Sequence, residues 1–355
     1  MNTAWSHTAR FPTTGQESMV EVLVTGGAGF IGSNFIKFAL DAHPDWRITT
    51  LDKLTYAGRL ENLESVKDNP RHTFVHGDVT DPVIVTPLVE QAEVILHLAA
   101  ETHVDRSIVN ASDFIMTDVY GTSVLLEAAR NAEKLRRFIQ VSTDEVYGSV
   151  SESASRETDE IRPSNPYSAS KAGADRLAYS FWATHRIPIV IARASNNYGP
   201  NQFPEKVIPL FITNAIDDRT VPLYGDGLNI RDWLHVDDHC RALDLLIADG
   251  ELGEAYNVGG GHEIANIELT RELLRLLNKP ESLIQCVDDR PGHDHRYCLD
   301  TTKLRKLGWQ PVVDFVQGLT DTVTWYQENE SWWRPIKRDS PAFKTYYQEQ
   351  YGHQS

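Results

Sequence analysis

The sequence predicts an α/β protein built on a doubly wound parallel sheet, with a smaller, partly interleaved C-terminal domain. Three observations predict it. Short β-branched runs recur along the first two hundred residues, segments of helical periodicity separate several of them, and a glycine-rich turn joins the first run to the first such segment. Strands that alternate with helices give a parallel sheet covered on both faces.

The first strand is Val20–Thr25 (VEVLVT), and FIGSNFIKFAL carries apolar positions at helical spacing after it. Further strands are predicted at 47–52 (RITTLD), 73–78 (TFVHGD), 94–100 (VILHLAA), 137–143 (RFIQVST) and 187–193 (IPIVIAR), with a helix over 122–135. The rhythm breaks after Asn197, where NNYGPNQFPEKVIP and VPLYGDGLNIRDW are rich in Pro, Gly and Asn. A later helix is expected over 267–278, with Asn266 as its N-cap. The predicted division is an extension at 1–18, a sheet domain at 19–200 with returning segments at about 236–260, a second domain at 201–330, and a peripheral tail at 331–355.

Composition bounds the function. The chain has 355 residues, 41% of them hydrophobic, so it folds as a globule. A net charge of −16 argues against non-specific nucleic-acid binding. It leaves room for a small anion held by a local Arg/Lys pocket. Three irregularly spaced cysteines, Cys240, Cys286 and Cys298, suit unpaired thiols in a reducing cytoplasm. No apolar run approaches a membrane span. The first 18 residues, MNTAWSHTARFPTTGQES, lack the apolar core of a secretory signal and read as a disordered extension.

TGGAGFIG places Gly26, Gly29 and Gly32 between the first strand and first helix. Such glycines let the backbone approach a pyrophosphate at a helix N-terminus, the Rossmann-like arrangement. Asp52 ends the second strand 20 residues after Gly32. A carboxylate there accepts ribose hydroxyls and repels a 2′-phosphate, which favours NAD over NADP.

YSASK places Tyr167 and Lys171 four apart, on one face of a helix. An ammonium near a phenol, with a nicotinamide cation beside it, lowers the phenol pKa, so that Tyr167 can take a proton from a substrate alcohol. FIQVSTDEVYG adds Thr143 and two adjacent carboxylates, Asp144 and Glu145, at the end of an apolar strand. Carboxylates there are costly unless paired, hydrated or used. Close like charges resist joint ionisation, so one keeps its proton, which suits an acid–base pair without saying which is which. Neighbours on a strand face opposite ways, so both reach one substrate only if the backbone bends after Thr143.

TGGAGFIGSNF, LDKLTYAG, GDVTD, HLAAETHVDRSI, VSTDEVYG, YSASK, SNNYGPNQFPEKVIP, RDWLHVDDH and DRPGHDHRY run from about residue 20 to 297. On these motifs the chain resembles the extended short-chain dehydrogenase/reductases that act on nucleotide sugars, and among them the dTDP-glucose 4,6-dehydratase family. The resemblance implies a deoxysugar-forming lyase. Tyr167 takes the C4 hydroxyl proton, Glu145 the C5 proton, and protonated Asp144 serves the departing C6 hydroxyl, with Thr143 near the C4 oxygen. It implies NAD that stays tightly bound and is regenerated in each turnover.

The resemblance also places Phe30, Ile31, Asp52, Lys53, Leu54, Thr55, Asp78, Val79, Leu98, Ala99, Ala100, Thr117 and Asn197 along NAD, with Gly26, Gly29, Gly32, Tyr167 and Lys171. It places Thr102, Thr143, Asn196, Lys206, Val207, Tyr224, Arg231, Asn266, Asp289, Arg290 and His293 at the sugar nucleotide. Arg231 and Lys206 supply charge for a diphosphate, and Tyr224 a face for a base. Arg231 has an alternative use as a partner of Asp232 or Asp237. The HDH alternation at His293 and His295 suggests no third metal ligand, so no metal site is assigned. The resemblance further implies a cytoplasmic homodimer joined through helices at about 115–135 and 168–185.

Ala194, Asn201, His235 and Thr102 depart from the residues usual in that family; Asn201 and His235 bear on nucleotide preference. The alternatives are the same dehydration on another nucleoside diphosphate glucose, an NAD-dependent epimerase, which needs neither Asp144 nor Glu145, and an NAD-binding sensor, which needs neither Tyr167 nor Lys171.

Overall fold

The computed structural model describes residues 19–352; the extension expected at 1–18 lies outside the described residues. Twelve strands are labelled in chain order among those residues: β1 (Val20–Thr25), β2 (Trp46–Asp52), β3 (His72–His76), β4 (Val94–His97), β5 (Arg137–Thr143), β6 (Ile189–Ala194), β7 (Asn196–Tyr198), β8 (Val221–Tyr224), β9 (Ile230–His235), β10 (Ala255–Val258), β11 (Glu263–Ala265) and β12 (Ile284–Val287).

Seven of them form one sheet in the order β10-β6-β5-β4-β1-β2-β3, with every neighbouring pair parallel. The chain winds outward from β1 through β2 to β3, then returns to β4 on the other side of β1. That reversal opens a crevice at the carboxyl ends of β1 and β4, where open α/β sheets take ligands. β4 and β6 are buried along their whole length, which explains their largely apolar runs, broken only by His97 and Arg193. One core, with Phe35, Ile36 and Trp46, fills one face of the sheet, and another, with Leu125, Phe138 and Ile191, fills the other.

β4 stops at His97, short of the expected Ala100. Its ladder with β1 runs from Val22–Val94 to Thr25–His97, and β1 has no residue left to pair. His97 pins this end, with Nδ1 2.7 Å from Thr25 Oγ1 and Nε2 2.9 Å from Thr122 Oγ1. Residues 98–100 therefore leave the sheet and face the crevice. The helix expected over 122–135 runs from Gly121 to Ala129 and follows a π-helical turn, Ile115–Tyr120.

Beyond β6 the chain builds a second set of elements. β9 pairs with β7 in parallel and with β11 antiparallel, while β8 and β12 form a separate parallel pair. The helix Val236–Asp249 and β10 return to the large sheet. Asn266 is the first residue of the helix Asn266–Leu276 rather than its cap; its carbonyl accepts the Thr270 hydroxyl at 2.6 Å.

The tail from 331, expected to be peripheral, is built in. Helices Glu330–Asp339 and Pro341–Tyr351 bury Trp333, Ile336, Phe343 and Tyr346. The first three belong to the second unit's core, with Phe211, Leu273 and Leu319. Aromatic residues at helical spacing gave this segment an apolar face, which the helix Val207–Ile216 and its neighbours cover.

Candidate active site

A cavity of about 320 Å³ opens over the carboxyl ends of the sheet, between the two units. At one end lies the glycine turn. Gly26 has φ +69°, a left-handed value that favours glycine, and a Cβ on it would lie 2.7 Å from the Ala99 amide nitrogen. A Cβ on Gly32 would lie 2.6 Å from the Cα of Gly27. The helix Phe30–Ala42 starts behind Gly29 with no side-chain cap, so its first N–H groups face the cavity end unpaired by side chains. This is a cradle for a pyrophosphate.

Asp52 closes the same end. Its Oδ2 accepts the Ala28 amide at 2.9 Å and its Oδ1 the Leu54 amide at 2.8 Å. Burial raises its pKa, and the two amides oppose that shift. Each oxygen keeps a lone pair for a ribose hydroxyl. Phe30, Ile31, Lys53, Thr55, Asp78, Val79, Leu98, Ala99, Ala100, Thr117 and Asn197 line the cavity, as do the three glycines. Leu54 is off its lining and serves Asp52 through its backbone. These residues fit a dinucleotide.

At the other end, β5 delivers the chemical groups. Thr143 is extended and caps a 3-10 turn, Asp144–Tyr147, and its hydroxyl accepts the Glu145 amide at 3.3 Å. The backbone bends directly after Thr143, so Asp144 and Glu145 both enter the cavity. Tyr167 comes from the first turn of the helix Pro166–His185, fixed by an Asn165–Ser168 capping box. Lys171, one turn on, is off the cavity lining; its Nζ donates to the Val141 carbonyl of β5 at 2.8 Å.

The electrostatics separate the two carboxylates. Burial, then Glu145 and Asp232, push Asp144 far above the usual carboxylate range. Its Oδ2 has no partner. Burial also raises Glu145, but Arg290, Arg231 and Lys206 hold it back. Asp144 is thus pushed toward its protonated form more strongly than Glu145. Burial, with Glu145, Asp118 and Asp144, holds the Tyr167 phenol well above its ordinary value. Burial lowers the Lys171 ammonium, against the pull of Asp118 and Asp175. The phenol is therefore not activated by Lys171 alone; it needs further positive charge in the cavity.

Thr102, Asn196, Lys206 and Val207 line the cavity, and Lys206 Nζ donates to the Thr102 carbonyl. Tyr224, Arg231, Asn266, Asp289, Arg290 and His293 lie off that lining. Arg231 is buried and pairs with neither Asp232 nor Asp237; its Nη2 donates to the Asp294 carbonyl at 2.9 Å. Asn266 Oδ1 is buried without a partner. His293 Nδ1 sits 2.6 Å from Asp289.

Several site residues were missed. Buried Asp105 accepts Tyr224 at 2.9 Å, Tyr346 at 3.2 Å and Arg290 at 3.0 Å. Glu205 pairs with Arg106 at 2.9 Å on the cavity wall. Tyr297 lies 3.5 Å from Glu145. Asp105, Glu205 and Tyr297 fall inside the motifs HVDRSI, PEK and HDHRY, which was the only signal the sequence offered for them.

The family model for GDP-mannose 4,6 dehydratase matches residues 23–322. The dTDP-glucose 4,6-dehydratase of Streptomyces niveus is 48% identical over 328 residues, 91% of this chain and 97% of its own. The chain belongs to the dTDP-glucose 4,6-dehydratase family. Within this family, the crystal structure of DesIV from Streptomyces venezuelae with NAD and TYD bound superposes with a TM-score of 0.88 at 49% identity, covering 90% of this chain and all of that one. The Bacillus anthracis dTDP-glucose 4,6-dehydratase in complex with NAD gives a TM-score of 0.84 at 43% identity, over 90% of this chain and 100% of its own. The dehydratase relatives thus match across both the sheet and the second unit, so the family resemblance spans both walls of the cavity.

Proposed function

We infer that this chain is an NAD-dependent hydro-lyase that converts dTDP-glucose to dTDP-4-keto-6-deoxyglucose. One observation carries the reading: two adjacent carboxylates, set apart electrostatically, enter the same cavity as Tyr167 and a dinucleotide cradle. An epimerase has no use for the two carboxylates, Asp144 and Glu145.

NAD, when bound, supplies a hydride acceptor for C4 and a hydride donor for C6, so it is regenerated in each turnover. Tyr167 takes the proton of the C4 hydroxyl; the positive charge its ionisation needs comes from Lys171 and the nicotinamide. The C4 ketone acidifies the C5 proton, which Glu145 removes. Asp144 gives its proton to the C6 hydroxyl, which leaves as water. Glu145 then returns its proton to C5. Thr143 holds the C4 oxygen, Lys206 on the cavity lining supplies positive charge, and Arg231 and Arg290, off that lining, add charge that acts on Glu145.

Two further assignments join this reading. A homodimer is supported by the exposed Ile115, Met116, Tyr120 and Tyr179, which lie on the two helical segments expected to pair. A cytoplasmic location is supported by three free cysteines. No described helix is long and apolar enough to cross a membrane.

The test is to incubate the purified protein with dTDP-glucose and, separately, with UDP-, CDP- and GDP-glucose, without added cofactor, and follow product mass. Loss of one water from dTDP-glucose is expected. Loss from another nucleotide alone would move the nucleotide assignment. Unchanged mass in every tube, even with NAD added, would sink the dehydratase reading.

A further inference from the structure

Asp294 has no part in the chemistry above, yet it is buried one side chain away from Glu145. The Tyr297 hydroxyl lies 2.7 Å from Asp294 Oδ2 and 3.5 Å from Glu145 Oε2. A phenol has one hydrogen to give and two carboxylates compete for it. The shorter contact takes it, since bonds to a charged acceptor weaken steeply with distance. We propose that Asp294 is a positioning residue that claims the hydroxyl hydrogen of Tyr297, so that Tyr297 meets Glu145 as an acceptor and not as a donor.

The arrangement is held on every side. Asp294 Oδ2 also accepts the Ser164 hydroxyl. The Asp294 carbonyl accepts Arg231 Nη2 at 2.9 Å and Asn229 Nδ2 at 3.2 Å. The Arg231 guanidinium sits 4.4 Å over the Tyr297 ring. Burial, and the negative charge of Glu145 and Asp294, keep the phenol neutral. The other ionisable groups that act on Glu145 are Arg290, Arg231 and Lys206, which lower its pKa, and Asp294, which raises it; Asp144 and Tyr167 share its cavity.

The consequence is specific to a base that must take a proton and give it back, and so it rests on the dehydratase reading. As a carboxylate, Glu145 receives no hydrogen from Tyr297 and keeps its full basicity. Once it holds the C5 proton, its new O–H points at a free lone pair on the Tyr297 oxygen. The proton is held there until C5 takes it back. No atom is gained or lost in this exchange. Remove the Asp294 acceptor, and the Tyr297 hydrogen turns to the Glu145 carboxylate and weakens the base.

Single-turnover experiments with dTDP-glucose separate the steps. Nicotinamide absorbance reports C4 oxidation and product mass reports water loss. Asp294→Ala is expected to slow water loss about tenfold, the effect of roughly one pKa unit on the base, with oxidation within about twofold of wild type. Asp294→Asn, whose amide oxygen still accepts from Tyr297 but which lacks the charge that raises Glu145, is expected to slow water loss less than Asp294→Ala does. In a Tyr297→Phe background, Asp294→Ala is expected to add less than about twofold. The proposal is overturned if Asp294→Asn is as slow as Asp294→Ala, or if Asp294→Ala costs the same with and without the Tyr297 hydroxyl. Should Asp294→Ala fail to fold, Asp294→Asn is compared with and without the Tyr297 hydroxyl: a smaller cost in the Tyr297→Phe background supports the assignment and an equal cost overturns it. Wild-type protein that never removes water from dTDP-glucose would instead overturn the dehydratase reading on which it rests.

Discussion

The Thr143 hydroxyl donates to Asp144 Oδ1 at 3.1 Å, and the second oxygen of Asp144, Oδ2, is buried with no partner. A lone buried carboxyl oxygen facing a cavity suits a group that carries a proton rather than a charge. Asp144→Asn keeps this shape and removes the acid. Water loss is expected to fall by about 10²–10⁴-fold, the usual worth of a general acid. C4 oxidation, read by nicotinamide absorbance, should survive in this variant and in Glu145→Gln. Equal loss of oxidation in both would count against the roles assigned.

The pH profile of water loss should be a bell. Its acid limb is Glu145, which must be ionised, and its pKa lies above the usual glutamate value because burial outweighs its three cations. Its alkaline limb is Asp144, which must be protonated and is raised further. Lys206→Ala removes one cation beside Glu145, so the acid limb should move to higher pH. Single-turnover rates at saturating dTDP-glucose, measured across pH, check the direction; an acid limb that stays put would remove Lys206 from the electrostatic account.

The C-terminal helix reaches Tyr224 and Asp105, residues proposed to serve the sugar nucleotide. Tyr351 Oη lies 3.4 Å from Tyr224 Oη and 3.3 Å from Tyr346 Oη, and both of those hydroxyls bond to Asp105, the partner of Arg290. Tyr346→Phe with Tyr351→Phe removes two of these hydroxyls and keeps the packing. KM for dTDP-glucose is expected to rise about tenfold, equivalent to one or two hydrogen bonds to a charged group, with kcat little changed. Steady-state kinetics check this, and a fall in kcat at constant KM would contradict it.

Three buried histidines tie stability to pH. Burial lowers His97 and His239 to about 3 and His103 to about 4. The folded state keeps each neutral, while the unfolded chain protonates them near the ordinary value. Their contribution is present above about pH 6.5 and is lost as pH falls below it, by about 1.4 kcal/mol per histidine at about pH 5.5. Urea unfolding at about pH 7.5 and 5.5 should show the drop. His97→Gln should lessen it by about 1.4 kcal/mol, whatever it does to stability at the higher pH. An undiminished drop would show that His97 is protonated in the folded state.

Much of the sheet was legible because burial on both faces writes itself as apolar runs. β1 and β5 fall on the expected residues, while β3, β4 and β6 shift by a few residues at their ends. Those ends depend on how far the neighbouring strand extends, as β4 shows against β1, and no local pattern records a neighbour's length. The tail was misjudged for a similar reason: Trp333 looks like a surface aromatic until Phe211 and Leu319 are seen to share its core.

By itself the sequence determined the parallel sheet, the glycine cradle with Asp52, and the presence of Thr143, Asp144, Glu145, Tyr167 and Lys171, because each rests on residues close together in the chain. Only the tertiary structure sets the surroundings of the two carboxylates apart. Asp144 and Glu145 are adjacent and chemically alike; Arg290, Arg231 and Lys206, brought from segments far along the chain, oppose the effect of burial on Glu145, whereas Glu145 and Asp232 add to it on Asp144 and Arg231 only weakly opposes it. The same holds for Asp294, whose place beside Tyr297 and Glu145 exists only once β5 and the loop after β12 meet. Charge acts through space, and the distances that set it are made by folding.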